Sequence, residues 1–381
     1  MSATETVLAR GIQPDPSTPG VRINRLEVSN YKRIDHLAME FPLPPMFKDL
    51  DIFVLGSKNG GGKSSVLECC ALLLLAGAGR RMRIDRSSLG DVLPILLGLL
   101  IKAGRDEARI SGELDAGGRA CHIELRLDES GFAEPEVSSQ CFPAVNDEKH
   151  ARPADPDEAL SSILAISSEP LIRPPLLHFN SYRKVQEFNP ELGMLAEDYA
   201  SSRVSSLAWR RRMAMGRVGT AVSAFKLEVL RSLMGQASLF EGLDQLESEG
   251  ILETLNKLIE RYCGGRIDKL RALADNRVDI RIKPRNARES FSFDGLSSGQ
   301  KEMIATLFLI WRNTRDQPSV VLIDEPELHL NAEWHADFVE QLRQLAPRNQ
   351  YILATHSEDI FRSVDESRRA ILLPDDEDAA S

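Results

Sequence analysis

The sequence predicts an α/β chain with an antiparallel β part and a helical insertion, and three observations predict it. A buried apolar strand, Asp51-Ile52-Phe53-Val54-Leu55, runs straight into a glycine-rich loop and then into a helix-forming stretch. Two period-two segments flank the turn signal Asp115-Ala116-Gly117-Gly118, the pattern of a hairpin. From Glu191 to Lys283 there is no proline, and leucines recur at helical spacing.

The elements follow in order. Residues 1–20 read as a disordered leader, with Pro14, Pro16, Ser17, Pro19 and Gly20 and no apolar core of a secretory signal. Val21 to Phe41 holds two strands. Val21, Ile23, Leu26 and Val28 mark the first, with a break in alternation between Ile23 and Leu26; Leu37, Met39 and Phe41 mark the second. Tyr31-Lys32-Arg33 is the turn between them. Ser64 to Leu75 lacks glycine and proline and should be a helix. The hairpin strands are Ala108–Leu114 and Ala120–Leu127. Cys141 to Pro170, rich in proline and acids, reads as a loop, and Leu176–Phe179 as a strand. Leu243, Leu246, Leu252, Leu255, Leu258 and Ile259 carry the insertion, and strands return from Val278. Gln300–Trp311 is a helix; Val320–Ile323 and Tyr351–Thr355 are buried strands; Leu373–Asp378 is an acidic tail. The expected domains are an N-terminal lobe at 21–180, the helical insertion at 181–283 and a C-terminal lobe at 284–381.

Composition narrows the class. A 42% hydrophobic and 27% charged content is that of an ordinary globular chain. The longest apolar run, Val92–Ile101, contains Pro94 and is shorter than the roughly 20 residues that span a bilayer, so no membrane role is expected. Five cysteines without a Cys-x-x-Cys pair suggest reduced thiols and a cytoplasmic protein. The net charge of −10 counts against nucleic-acid binding over the whole surface but leaves local patches open. Three basic clusters stand out: Arg80-Arg81-Met82-Arg83 with Arg86, Arg210-Arg211-Arg212 with Arg217, and Arg281, Lys283, Arg285 and Arg288. Each is a solvated face, a DNA track or a docking site.

Four motifs carry chemistry. In Ser57-Lys58-Asn59-Gly60-Gly61-Gly62-Lys63-Ser64-Ser65, the glycines let backbone N–H groups converge on phosphates, Lys63 offers an ammonium, and the Ser64 hydroxyl suits Mg²⁺. The helix that follows points its positive end at the same anion. Ser57 stands where such loops usually begin with glycine, and Gly56 lies one residue earlier, so phosphate affinity is the property this departure touches. Leu296-Ser297-Ser298-Gly299-Gln300 opens a helix and offers a hydroxyl with free amides. Asp324 and Glu325 end an apolar strand, where ligands gather in a parallel sheet. His356 ends another.

Phosphate loop, LSSGQ, acidic strand and strand-end histidine, in that order, resemble an ABC-type ATPase. The resemblance implies an ATPase head with a mixed central sheet and flanking helices. It also implies ATP and Mg²⁺ as cofactors, Asp324 and Ser64 at the metal, Glu325 polarising the attacking water, and His356 and Lys63 at the γ-phosphate. Ser297, Ser298, Gly299 and Gln300 would complete the nucleotide site of a second subunit, which implies a homodimer or a higher assembly. The metal-sensing glutamine falls to Gln140 or Gln186, with Gln186 preferred, and Lys32 and Arg33 are further candidates for touching nucleotide. His329 lies in the loop that in this family contacts the dimer partner.

Lys63 and Gly299 stand 236 positions apart, wider than in transporter subunits. That spacing resembles the RecF-like, chromosome-maintenance and OLD classes, and Asp-Glu-Pro-Glu-Leu-His-Leu with Ala-Thr-His-Ser looks most like the OLD class and its anti-phage relatives. Only 25 residues follow His356, so the OLD nuclease domain is expected to be absent. The expectation is an ATPase that controls a separately encoded effector, a nuclease or toxin, in bacterial anti-phage defence. Two alternatives stand beside it: a RecF-like repair ATPase acting on DNA, and a slowly hydrolysing ATP-dependent scaffold.

Overall fold

The computed structural model describes residues 20–44, 46, 49–57, 61–77, 99–128, 131–132, 136–137, 163–164, 170–183, 185, 224–236, 245–273 and 277–372. The expected leader, the tail, Gln140, Gln186, Leu243, the Arg80 and Arg210 clusters and nearly all of the loop at 141–170 lie outside them.

The elements run as follows. First come β1 (Val21–Tyr31), β2 (Ile34–Glu40), β3 (Asp51–Ser57) and α1 (Lys63–Gly77). Then come β4 (Glu107–Ala116), β5 (Ala120–Asp128), β6 (Gly131–Phe132), β7 (Glu136–Val137), β8 (Leu171–Arg173) and β9 (Leu176–Phe179). The middle holds α2 (Ala224–Gln236), α3 (Gln245–Cys263), β10 (Gly265–Ala272), β11 (Val278–Pro284), β12 (Phe291–Ser292) and α4 (Ser298–Thr314). The last are β13 (Val320–Asp324), α5 (Glu333–Leu345), β14 (Gln350–Thr355), α6 (Glu358–Arg362) and β15 (Arg369–Leu372). The chain forms two compact units: Pro16–Arg183 with Asn313–Ser381, and Lys184–Arg312.

The first unit has two sheets with α1 packed against both. One sheet is antiparallel, in the order β2-β1-β4-β5-β6 with β7 on β5. The other, β15-β3-β14-β13-β9-β8, is parallel except for the edge strand β8. Helix α1 touches β13 and β14 as well as β1, β4 and β5. Its apolar residues therefore cover its whole circumference, as a helix buried on every side requires, and Leu67, Leu72 and Leu73 are fully buried. Each such leucine contributes roughly 1.5–3 kcal/mol by leaving water. Cys69 and Cys70 lie in the same interior as free thiols, and burial pushes the Cys70 thiol up.

Two sequence irregularities have structural causes. The break in alternation after Ile23 is a β-bulge between Ile23 and Arg25, which returns Leu26 and Val28 to the face that Ile23 occupies. Gly112 pairs with Leu26 beside it, and a Cβ there would stand 2.4 Å from the Arg25 carbonyl oxygen and 2.6 Å from Leu73 Cδ2. The β4–β5 turn is Gly117-Gly118, with φ of 63° and 81°, between Ala116 and Arg119, which exchange backbone hydrogen bonds of 2.9 and 3.3 Å. Both central residues need positive φ in a type I′ turn, which explains the glycine pair.

In the second unit α2 packs on α3 and α3 on β10. Phe225 stacks against Phe293 and Phe308, and Leu252, Leu255, Leu258 and Ile259 are buried. The helical reading of 181–283 needs correction: the helix ends at Cys263, and Gly265–Ala272 is a strand. Gly264 adopts φ 66° and its N–H bonds back to Glu260 O at 3.0 Å, a glycine stop that any other residue would strain. A bulge in β10 between Ile267 and Lys269 spaces the inward residues Ile267 and Leu270 three apart, which imitates helical spacing. Among the described residues no helix is long and apolar enough to cross a membrane.

Candidate functional site

Parallel pairing of β3, β14 and β13 aligns Gly56 with Thr355 and Ala354 with Asp324. Their carboxyl ends therefore share one edge, where a ligand of an open parallel sheet sits. From that edge Ser57 leads to the phosphate loop, and α1 begins at Lys63. Lys58, Asn59, Gly60 and the Ser57 side chain lie outside the described residues. Gly61, Gly62, Lys63, Ser64 and Ser65 line a cleft of about 690 Å³ together with Lys32, Arg33, Leu99, Ile101, Ala103, Glu325 and His356. Thus Lys63, Ser64, Glu325 and His356, named from separate parts of the sequence, meet in one place.

The contacts are specific. Lys63 Nζ lies 2.9 Å from His356 Nε2, and His356 Nε2 is 3.8 Å from Glu325 Oε1. The Ser64 hydroxyl donates to the Asp324 carboxylate. Burial pushes the Lys63 ammonium down, and the carboxylates of Asp324, Glu325 and Glu327 oppose that shift. Burial pushes the Asp324 carboxyl up, the Ser64 hydrogen bond draws it down, and the charge of Glu325 raises it further. The cleft thus has one buried cation and Glu325 on its wall, with Asp324 and Glu327 near enough to act on that cation.

Asp324 Oδ1 is buried with no hydrogen-bond partner, beside the Ser64 hydroxyl. An orphaned carboxylate oxygen next to a hydroxyl suits a hard cation such as Mg²⁺, which takes one or two protein oxygens and fills its shell from phosphate and water. Among the described residues no three His, Cys, Asp or Glu cluster to hold a metal by themselves, so a cation held here would need those extra oxygens.

Several contributors were not legible beforehand. Arg183, 4% exposed, donates to the backbone oxygens of Asn180, Asp324 and Glu325. It braces the turn in which Glu325 holds a φ of 48°, a left-handed conformation that costs a side-chain-bearing residue about 1 kcal/mol or more. Leu99, Ile101 and Ala103 give the cleft an apolar wall that no motif marked. Lys32 is anchored by Glu68 of α1, which it meets at 2.6 Å, and Tyr31 Oη donates to the same carboxylate at 3.1 Å.

Ser297 lies in the other unit. It caps α4: Gln300 N donates to Ser297 Oγ at 3.3 Å, and Ser297 N and Oγ donate to Gln300 Oε1 at 3.0 and 3.2 Å. This is a capping box with glutamine at its third position. Gln300 Nε2 also donates to Tyr262 O at 2.8 Å, so its amide is committed on both sides. Ser297 and Ser298 are exposed and Gly299 is buried.

Residues 224–361, which take in LSSGQ, the acids and His356, match the family described as "AAA domain, putative AbiEii toxin, Type IV TA system". The chain is 23% identical over 367 residues to the Septu protein PtuA of Bacillus mycoides (strain KBAB4), covering 93% of this chain and 41% of that protein. It is 21% identical over 410 residues to the "Retron Ec83 probable ATPase" of Escherichia coli, covering 91% and 70%. This chain is a relative of those proteins. It also matches the "Retron Vc95 probable ATPase" of Vibrio cholerae serotype O1 biovar El Tor at 32% identity, over 26% of this chain and 21% of that protein. Among solved structures, the Smc head domain with an extended coiled coil from Pyrococcus furiosus, bound to the C-terminal domain of ScpA, superposes with a TM-score of 0.50. That match has 15% identity and covers 91% of this chain and 92% of that one. At that identity the likeness is one of fold alone: a mixed α/β fold with an antiparallel sheet.

Proposed function

We propose that the chain binds and hydrolyses ATP, closes as a homodimer around it, and by opening and closing controls a separately encoded nuclease or toxin in anti-phage defence. The observation that carries the reading is the convergence of Lys63, Ser64, Glu325 and His356 on one cleft. Kinship with a Septu protein and with retron ATPases supports the defence setting.

In this reading the N–H groups of the glycine loop and the start of α1 hold the β- and γ-phosphates, and Lys63 neutralises them. Ser64 and Asp324 would hold Mg²⁺, which supplies charge neutralisation at the phosphates. Glu325 polarises the attacking water, and His356, whose ring lies 2.9 Å from Lys63 Nζ, contacts the γ-phosphate. Ser297 and Gly299 of a second copy complete the site. Contacts to the γ-phosphate then favour the closed dimer, which is the differential binding a switch requires.

The test mixes two inactive variants. Lys63→Ala lacks the phosphate cation, and Ser297→Arg blocks the LSSGQ edge that a second copy would present. Neither should hydrolyse ATP alone. Mixed, they form heterodimers with one intact composite site, and hydrolysis should return. Turnover by Ser297→Arg alone, or no recovery on mixing, would rule out the shared site.

One observation favours a second reading, a DNA-acting ATPase. The β10 bulge puts Arg266, Lys269 and Arg271 on one face of their sheet, and pairing sets Arg266 opposite Lys283 and Lys269 opposite Arg281. Like charges directly opposed across strands are destabilising, so these two pairs favour a polyanion, while Arg271 stands opposite Asp279. Glu260 and Asp279 offset some of them. That face carries no aromatic side chain, which fits the backbone of a duplex better than stacked single-stranded bases. Under this reading Lys269→Glu with Lys283→Glu should shallow the slope of log affinity against log salt for duplex DNA by about 2. An unchanged slope would leave the face solvated and the defence reading alone.

A further inference from the structure

Glu327 stands three residues beyond Asp324 and does not line the cleft. Its carboxylate is engaged elsewhere: Oε2 accepts from Thr355 Oγ1 at 2.7 Å, and Oε1 accepts from the backbone N–H of His356 at 2.5 Å. The Thr355 hydroxyl, buried at 1% exposure, also accepts from Ser357 N at 2.9 Å. On the far side of His356, the Ser357 hydroxyl meets His335 Nδ1 of α5 at 2.9 Å and accepts from Ile360 N at 3.4 Å. The residues on both sides of His356 are thus fastened, and His356's own N–H is fastened by a carboxylate. The imidazole then reaches Lys63 at 2.9 Å from a fixed backbone.

We propose that Glu327 is a positioning residue: through the Thr355 hydroxyl and the His356 N–H it fixes the backbone from which the His356 ring addresses the cleft. Both oxygens are occupied by donors, so Glu327 is not the group that activates water, and Glu325, which lines the cleft, remains the one that does. The loop that carries Glu327 is tied by backbone hydrogen bonds, Leu328 N to Glu325 O at 3.0 Å and Leu330 N to Glu327 O at 2.9 Å, which link the acid that acts to the acid that positions. The inference rests on the ATPase reading for its kinetic consequence but not for the tether itself.

Two measurements separate those parts. The first is amide hydrogen exchange at Thr355–Ser357 in the full chain without nucleotide. Glu327→Ala should speed exchange at His356 at least about ten-fold, because its N–H loses its acceptor. Glu327→Gln keeps an acceptor for that N–H and an amide for the threonine oxygen, and should remain near wild type. Equal exchange in wild type and Glu327→Ala would overturn the tether. The second is ATP turnover. Glu327→Ala should lose roughly a hundred-fold in kcat, as for a reacting group displaced by about 1 Å, with KM little changed, and Glu327→Gln should recover most of the loss. If Glu327→Gln were as inactive as Glu327→Ala, its charge and not its geometry would matter, and the positioning role would be wrong. If wild-type chain did not hydrolyse ATP at all, the ATPase reading would fail while the exchange result still decided the tether.

Discussion

Glu325→Gln is expected to lower ATP turnover about a thousand-fold while the protein still binds nucleotide, within the range for removing a general base. Glu325 lies on the cleft wall, 3.8 Å from His356 Nε2. Glutamine keeps its shape and removes its basicity. Electrostatics should help binding rather than harm it. Burial is the main cause that holds the Asp324 carboxyl up and the charge of Glu325 adds to it, so removing that charge eases Asp324 part of the way toward presenting its own charge to a cation. ATP should accordingly accumulate on the variant and hold the dimer closed. The measurement is single-turnover hydrolysis beside native mass with ATP, on protein purified from cells that also express the neighbouring genes. A co-purifying nuclease or toxin in fixed ratio supports the defence reading. Undiminished turnover would remove Glu325 from the chemistry. Full defence by the variant despite lost turnover would favour the scaffold.

Lys63→Ala carries the second large effect: ATP affinity should fall about a hundred-fold, or ~3 kcal/mol, the upper range for hydrogen bonds to charged groups. Lys63 is 6% exposed, and it is the only cation of the phosphate loop among the described residues. Without it Asp324, Glu325 and Glu327 lose a shared counter-charge, and a polyphosphate keeps only Lys32 and Arg33 as cations of the cleft among the described residues. Equilibrium binding of a fluorescent ATP analogue gives the number. A loss below about two-fold would mean that the loop amides hold the phosphates by themselves, and that the ammonium matters only in the transition state.

How much was readable beforehand depended on the distance over which each feature is decided. The strand before the phosphate loop, α1, the Gly117-Gly118 hairpin and the acid-ending strand β13 were legible because alternation and turn chemistry are local. The helix end at Gly264 was legible in principle from Gly264-Gly265, but the β10 bulge spaced Ile267 and Leu270 like a helix and concealed the strand. Nothing local marks Arg183, since its partners Asp324 and Glu325 lie 141 and 142 residues away. Nothing local distinguishes Glu325 from Glu327: both are acids beside a strand end, and their roles separate only when one meets the cleft and the other meets Thr355.

The sequence alone determined the inventory of chemistry and its order. A glycine loop before a helix, a hydroxyl and glycine at a helix start, and acids and a histidine at strand ends all depend on residue type and backbone geometry within a few positions. The tertiary structure decided which of these meet. Parallel pairing of β3, β14 and β13 brings Lys63, Asp324 and His356 to one sheet edge, Arg183 braces the backbone of the acids, and Glu327 turns away to hold His356. Those choices are set by packing and register between segments hundreds of residues apart, and no local pattern encodes them.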